Sequence, residues 1–267
     1  MHFADMMALE RHGTDTYVGT GPAYPWGGLY GGQIVAQALR AAGDTVEASF
    51  PVHSLHAYFI RPGDPSEPIR FEVDRLRNGR SFVTRQVVAR QSGGAILTMI
   101  SSFQTAESSP EAQTVTMPDV PSPDDLDDDT WSQVFHRRSV PTDEPMRERA
   151  WMRVNVDLDD DPLLHACGLA YVSDDLPAEP VAEAHPDHRP HEQDHADEGD
   201  ERLMVVSLDH AVWFHRPWRA DAWHLEDIDG SGITNGRGLS RGNLFAPDGT
   251  HVASVAQEVL VRRRRPR

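Results

Sequence analysis

The stretch "LHAYFIRPG" (residues 55–63) returns in outline as "HAVWFHRPW" (residues 210–218), and that repetition decides the architecture. Each copy is a strand-like run carrying aromatics, closed by Arg-Pro. Phe59 to Phe214 is a step of 155 residues, and Arg61 to Arg216 is the same step. The likeness continues downstream, where "NGRSFVTRQVVARQSGGAILTMISSFQ" starts at Asn78 and "NGRGLSRGNLFAPDGTHVASVAQEVLV" at Asn235. Both read as strand, turn, strand, with turns at Ser92-Gly93-Gly94 and Pro247-Asp248-Gly249. Arg80 and Arg237 lie 157 apart, and Arg85 and Arg241 lie 156 apart. So many matches in order, at a near-constant step, indicate a duplicated unit of about half the chain.

Each half also has a helical pattern ahead of its strands. In "GGLYGGQIVAQALRAAGD" Ile34, Val35, Ala38, Leu39 and Ala42 share one face, with Gly43 as the stop. In "DPLLHACGLAYVSDDLP" the apolar residues are Leu163, Leu164, Cys167, Leu169, Ala170 and Tyr171. Helix followed by strands rich in Val, Ile and aromatics predicts an α+β unit, one central helix wrapped by an antiparallel sheet. The expected division is an N-terminal unit over 1–118 and a C-terminal unit over 149–267. Between them, 119–148 reads as an acidic Pro/Asp-rich linker, with "PSPDDLDDD" and a short helix near "WSQVFH".

Composition excludes several classes. The net charge of −17 opposes non-specific binding to nucleic acid or to an anionic membrane. All 25 Lys+Arg residues are arginine. No apolar run approaches the ~20 residues that span a bilayer, and "MHFADMMALERHG" lacks the charged start and apolar core of a secretory signal. A cytoplasmic location is the expectation. The single cysteine, Cys167, rules out an intrachain disulfide and a Cys-rich metal site; in an apolar helix it reads as core.

One motif points elsewhere. His191, Glu192 and His195 spell H-E-x-x-H, which in zinc proteases sits on a buried helix so that both imidazoles reach one metal. Here the setting is "AEAHPDHRPHEQDHADEGDERL", with Pro186 and Pro190 and hardly an apolar residue. That composition predicts a solvated acidic insertion near 177–201 and no metal site.

The stretches "GGQIVAQAL", "VHSLHAYFIRPGD", "SLDHAVWFHRP" and "VASVAQE", in this order, closely resemble the type II acyl-CoA thioesterases, the TesB-like family. The resemblance covers most of the chain except the linker and the histidine-rich loop. It implies a double hotdog, two tandem units each with a long helix in an antiparallel sheet. It implies acyl-CoA as the partner ligand, a homo-oligomer and no cofactor. It also implies hydrolysis without a covalent intermediate, by a water that an Asp, a hydroxyl residue and a Gln hold. Carried over by motif, these are Asp174 in "SDD", Ser207 in "VSLDH" and Gln257 in "VAQEV". Serine stands at 207 where the best-known pattern has threonine.

Read without the family, the three differ in strength. Gln257 alternates onto one strand face with Ala253, Val255, Val259 and Val261, so its amide needs a partner; the first half has Ser101 at the same place. A structural Gln fits that pattern equally well. Asp174 reads as a loop acid and Ser207 as an ordinary strand serine. For substrate binding, Gly31 and Gly32 at a helix N-terminus are candidates for the oxyanion. His53, His56, Arg61 and Arg216 are candidates for lining or phosphate contacts, and His210 and His215 read as structural or lining. Two other functions stay open: a hotdog that binds acyl-CoA without hydrolysing it, and an acyl-CoA hydratase, for which the Asp174 region offers no nearby histidine.

Overall fold

The chain is described here by a computed structural model covering residues 1–188 and 203–263. In the first half α1 (Phe3–Met7), β1 (Glu10–Arg11), β2 (Thr16–Gly19) and the long helix α2 (Gly31–Gly43) precede four strands: β3 (Val52–Phe59), β4 (Ile69–Asn78), β5 (Phe82–Gln91) and β6 (Gly94–Gln104). In the second half β7 (Phe135–Ser139), β8 (Arg147–Val154), α3 (Pro162–Val172) and α4 (Glu179–Glu183) come first. They are followed by β9 (Leu203–Ser207), β10 (Asp209–Phe214), β11 (His224–Thr234), β12 (Arg237–Phe245) and β13 (His251–Arg263).

The strands join one antiparallel sheet in the order β1-β2-β4-β5-β6-β3-β10-β13-β12-β11-β8-β7, with β9 added beside β13. Read outward from the β3–β10 seam, the two halves have the same order. Phe59 and Phe214 each close an equivalent central strand. Across the seam His56 pairs with Ala211, two positions related by the 155-residue step, so a pseudo-twofold axis passes through that pair. The architecture is a double hotdog.

The helices pack antiparallel inside the sheet. Arg40 near the end of α2 pairs with Asp161 at the start of α3 (2.9 Å), and the other end of α2 lies against the end of α3. Small residues permit this approach: a Cβ on Gly43 would come within 2.4 Å of Leu163, and one on Gly32 within 2.2 Å of the Tyr171 carbonyl oxygen. Helix α3 is buried almost all round, as expected for a helix enclosed by both sheet and neighbour. Residues of both halves form one shared core.

Two local expectations need correction. The "WSQVFH" segment is no helix: Val134 and Phe135 are buried, and β7 runs from Phe135 inside the 119–148 stretch. Trp131, Val134 and Phe135 have helical spacing in the sequence, but edge pairing with β8 decides the outcome. The start of the 177–201 stretch is not solvated either. It forms α4, whose Val181 is fully buried against Val259 and Val261, and Glu179 pairs with Arg137 (2.7 Å). A five-residue helix whose buried residues are the adjacent Pro180 and Val181 leaves no periodic signal. The H-E-x-x-H residues His191, Glu192 and His195 lie outside the described residues. Among the described residues no group of His, Cys, Asp or Glu is arranged to hold a metal, and no helix is long and apolar enough to cross a membrane.

Candidate active site

Asp174 follows α3, just past the C-cap Ser173, where the helix end meets the N-terminus of α2. It is 7% exposed, not the solvated loop acid its neighbours suggest. Its carboxyl accepts the Gly32 N–H, while Oδ1 is buried with no hydrogen-bond partner. Burial pushes its pKa up to about 8, against the opposing pull of that N–H, and the charges of Asp175 and Glu226 push the same way. A buried carboxyl with one open oxygen at the end of a helix is an expensive arrangement.

Opposite it runs a continuous row of side-chain hydrogen bonds. Ser173 Oγ lies 2.9 Å from His210 Nε2, His210 Nδ1 lies 2.6 Å from Gln257 Oε1, and Gln257 Nε2 donates to Ser207 Oγ (2.7 Å). His210 Nδ1 is also 3.9 Å from Asp174 Oδ1. Asp174, Ser207 and Gln257, distant in sequence, therefore fall within one connected cluster, with His210 as the member between them. The strands explain the meeting. Ser207 pairs with Val259, two residues from Gln257 on β13, and β10 lies against the same strand.

Protonation follows from the partners. An amide oxygen can only accept, so His210 Nδ1 carries the proton and Nε2 accepts from Ser173. His210 is fully buried, and desolvation lowers its pKa to about 4, so the ring is neutral. The Gln257 NH2 group is spent in part on Ser207 Oγ, which leaves the serine proton free to point outward. The cluster thus contains one open carboxyl oxygen, one amide and one hydroxyl, the kinds of group that can hold a polarised water.

The other candidates separate. Gly31 and Gly32 line the site: a Cβ on Gly31 would come 2.5 Å from Asp174 Oδ2 and 2.9 Å from the Phe59 ring. His56, by contrast, is on the outer face of the sheet, edge-on to Trp213 (5.0 Å), because alternation along β3 turns it away from Leu55 and Ala57. His53 bonds Ser102 (2.8 Å) and, with Arg216, faces a second groove at the far end of the helix pair. Arg61 is exposed and donates to the Gly93 carbonyl. Cys167 is buried, and its thiol is pushed well up by desolvation, which removes it as a nucleophile. His210 is the functional candidate that sequence reasoning passed over. The one available signal was its place in "SLDH", three residues after Ser207.

The site can be compared with known proteins. The family model "Acyl-CoA thioesterase N-terminal domain" matches residues 20–104, and "Acyl-CoA thioesterase C-terminal domain" matches 111–261. The chain is 34% identical to Acyl-coenzyme A thioesterase 8 of Homo sapiens, over 96% of this chain and 88% of that protein. The crystal structure of the acyl-CoA thioesterase II TesB2 from Mycobacterium marinum superposes with a TM-score of 0.85 at 37% identity, covering 99% of this chain and 98% of that one. A hot dog protein from Alicyclobacillus acidocaldarius, at 21% identity, shares the fold alone (TM-score 0.78, covering 98% of each chain).

Proposed function

The chain belongs to the acyl-CoA thioesterase family, and from that premise we propose that it hydrolyses acyl-CoA to the free acid and CoA through a water held by Asp174, Ser207 and Gln257. The observation that supports this reading is the open Oδ1 of the buried Asp174 beside the Ser207–Gln257–His210 row. In this mechanism ionised Asp174 takes a proton from the water as its oxygen attacks the thioester carbon. Gln257 and Ser207 fix the water's orientation. The oxyanion is met by the first turn of α2. The Gly32 N–H is already committed to Asp174, so the Gly31 N–H takes this part. Collapse of the tetrahedral intermediate breaks the C–S bond, and the proton on Asp174 passes to the departing thiolate.

His210 is a positioning residue here. Both ring nitrogens are engaged, so it holds the Gln257 amide in one orientation and takes no proton itself. That engagement also counts against a hydratase, which needs a histidine free to exchange a proton with substrate. The test is thiol release across a panel of acyl-CoAs, with and without chelator. Release from some members of the panel, unaffected by chelator, is expected; binding without release would leave an acyl-CoA-binding protein.

A further inference from the structure

The pseudo-twofold axis implies a counterpart of the active site at the other end of the helix pair, and the structure has a groove of about 1390 Å³ there. Its parts correspond one by one: the N-terminus of α3 for that of α2, Phe214 for Phe59, Arg216 for Arg61. The chemistry does not correspond. Leu55 and Ser101 stand where the second half has His210 and Gln257. The acid after α2, Asp44, is ion-paired with Arg40 (3.0 Å). At the start of α3, Pro162 has no N–H, and the Leu163 N–H is taken by Asp161 (3.0 Å). This groove cannot hold or activate a water as the first does, yet it remains open.

What lines it indicates a ligand. Phe50, Leu163, Phe214 and Trp218 are core-packed side chains left partly uncovered along one wall, and the Trp218 Nε1–H is buried without a partner. At the mouth Arg216, His215 and His251 gather. The two imidazoles lie 4.4 Å apart, and each Nε2 is 3.0 Å from Ser254 Oγ. That hydroxyl donates to Asn243, so it accepts from both rings. Burial and the adjoining Arg216 hold both histidines below their ordinary pKa, and His215 adds to this at His251. Of the acids that line the groove, Asp44 and Asp161 pair with Arg40 and Asp160 with Arg219, and Glu47 and Glu107 line it as well. Exposed Glu111 reaches Arg216 at 3.3 Å.

We infer that this groove is a second, non-hydrolytic binding site for an aliphatic carboxylate, its chain along the Phe50–Leu163–Phe214 wall and its carboxylate among Arg216, His215 and His251. A carboxylate there pairs with the Arg216 guanidinium, in the place that Glu111 now partly occupies. The volume exceeds the ~300–1000 Å³ of ordinary small-molecule sites, which suits a long flexible chain. The inference goes beyond the hydrolytic reading and survives its failure, since none of the groups invoked belongs to the Asp174 cluster.

Dodecanoate is the probe. Calorimetry should show a site weakened about 10-fold or more in the double variant Arg216→Ala/His251→Ala, the usual worth of charge-assisted hydrogen bonds. Glu111→Gln should tighten binding several-fold, a gain that misfolding cannot mimic. Ala166→Phe, which narrows the groove, should weaken it. Hydrogen exchange should place the protection at residues 104–115 and 214–219. Unchanged affinity in both the double variant and Glu111→Gln, or protection confined to 27–32 and 173–175, would overturn the proposal.

Discussion

The pKa of a single carboxyl governs the pH behaviour of the proposed site. Asp174 acts as a base only when ionised, and burial raises its pKa to about 8, so turnover should climb with pH and level off above about 8. A profile flat from pH 5 to 9 would show that another group sets the rate. The same shift has a sign in stability. A carboxyl with a raised folded-state pKa opposes folding as pH rises from its unfolded value near 3.8 towards 8. Asp174→Asn should therefore raise the melting temperature by several degrees at pH 9 and by little at pH 4. Replacing His210 by Leu, the residue at the equivalent place in the first half, strands the Gln257 oxygen and Ser173. Turnover should fall ~10-fold with KM little changed, the pattern of lost positioning; an unchanged kcat would remove His210 from the account. None of this environment was legible at Asp174 itself. An acid beside an acid at a helix end looks solvated until the fold closes α2 over it. Gln257 was legible in part, because a lone amide on an apolar strand face requires a partner.

Elements with a strong period were readable and short ones were not. Helix α2 and the paired strands follow from repeated apolar spacing and from turns at Gly94 and Gly249, both at positive φ. Strand β7 and helix α4 are made by tertiary contacts: edge pairing in one case, the buried Pro180 and Val181 and an ion pair from Glu179 in the other. Two consequences can be measured. Gly32→Ala would drive a Cβ into the Tyr171 carbonyl oxygen at 2.2 Å, so the helix pair must shift, at a cost of ~1–3 kcal/mol; denaturant unfolding reads this, and activity should fall with it because the Gly32 N–H holds Asp174. Val181→Ala should cost a similar ~1–3 kcal/mol through lost burial. If α4 were as dispensable as its composition suggests, that variant would unfold like the wild type.

At the scale of the molecule a duplicated fold carries the proposed hydrolytic cluster in its second half. The 155-residue step made the duplication visible in the sequence, and "VAQEV" against the Ser101 region hinted that the halves had diverged. Which half kept the chemistry needed the geometry: His210 and Gln257 against Leu55 and Ser101, and an open Asp174 against an ion-paired Asp44. If only the second half can hold the water, no other group can replace Asp174. Ser207→Ala and Gln257→Ala should each lose less than Asp174→Asn, and their effects should not add. The decisive measurement is steady-state thiol release from acyl-CoA by Asp174→Asn, together with its affinity for the substrate. The account predicts a fall in kcat of ~10²–10⁴-fold, the usual share of a general base, with acyl-CoA binding retained. Near-normal turnover in that variant would contradict it.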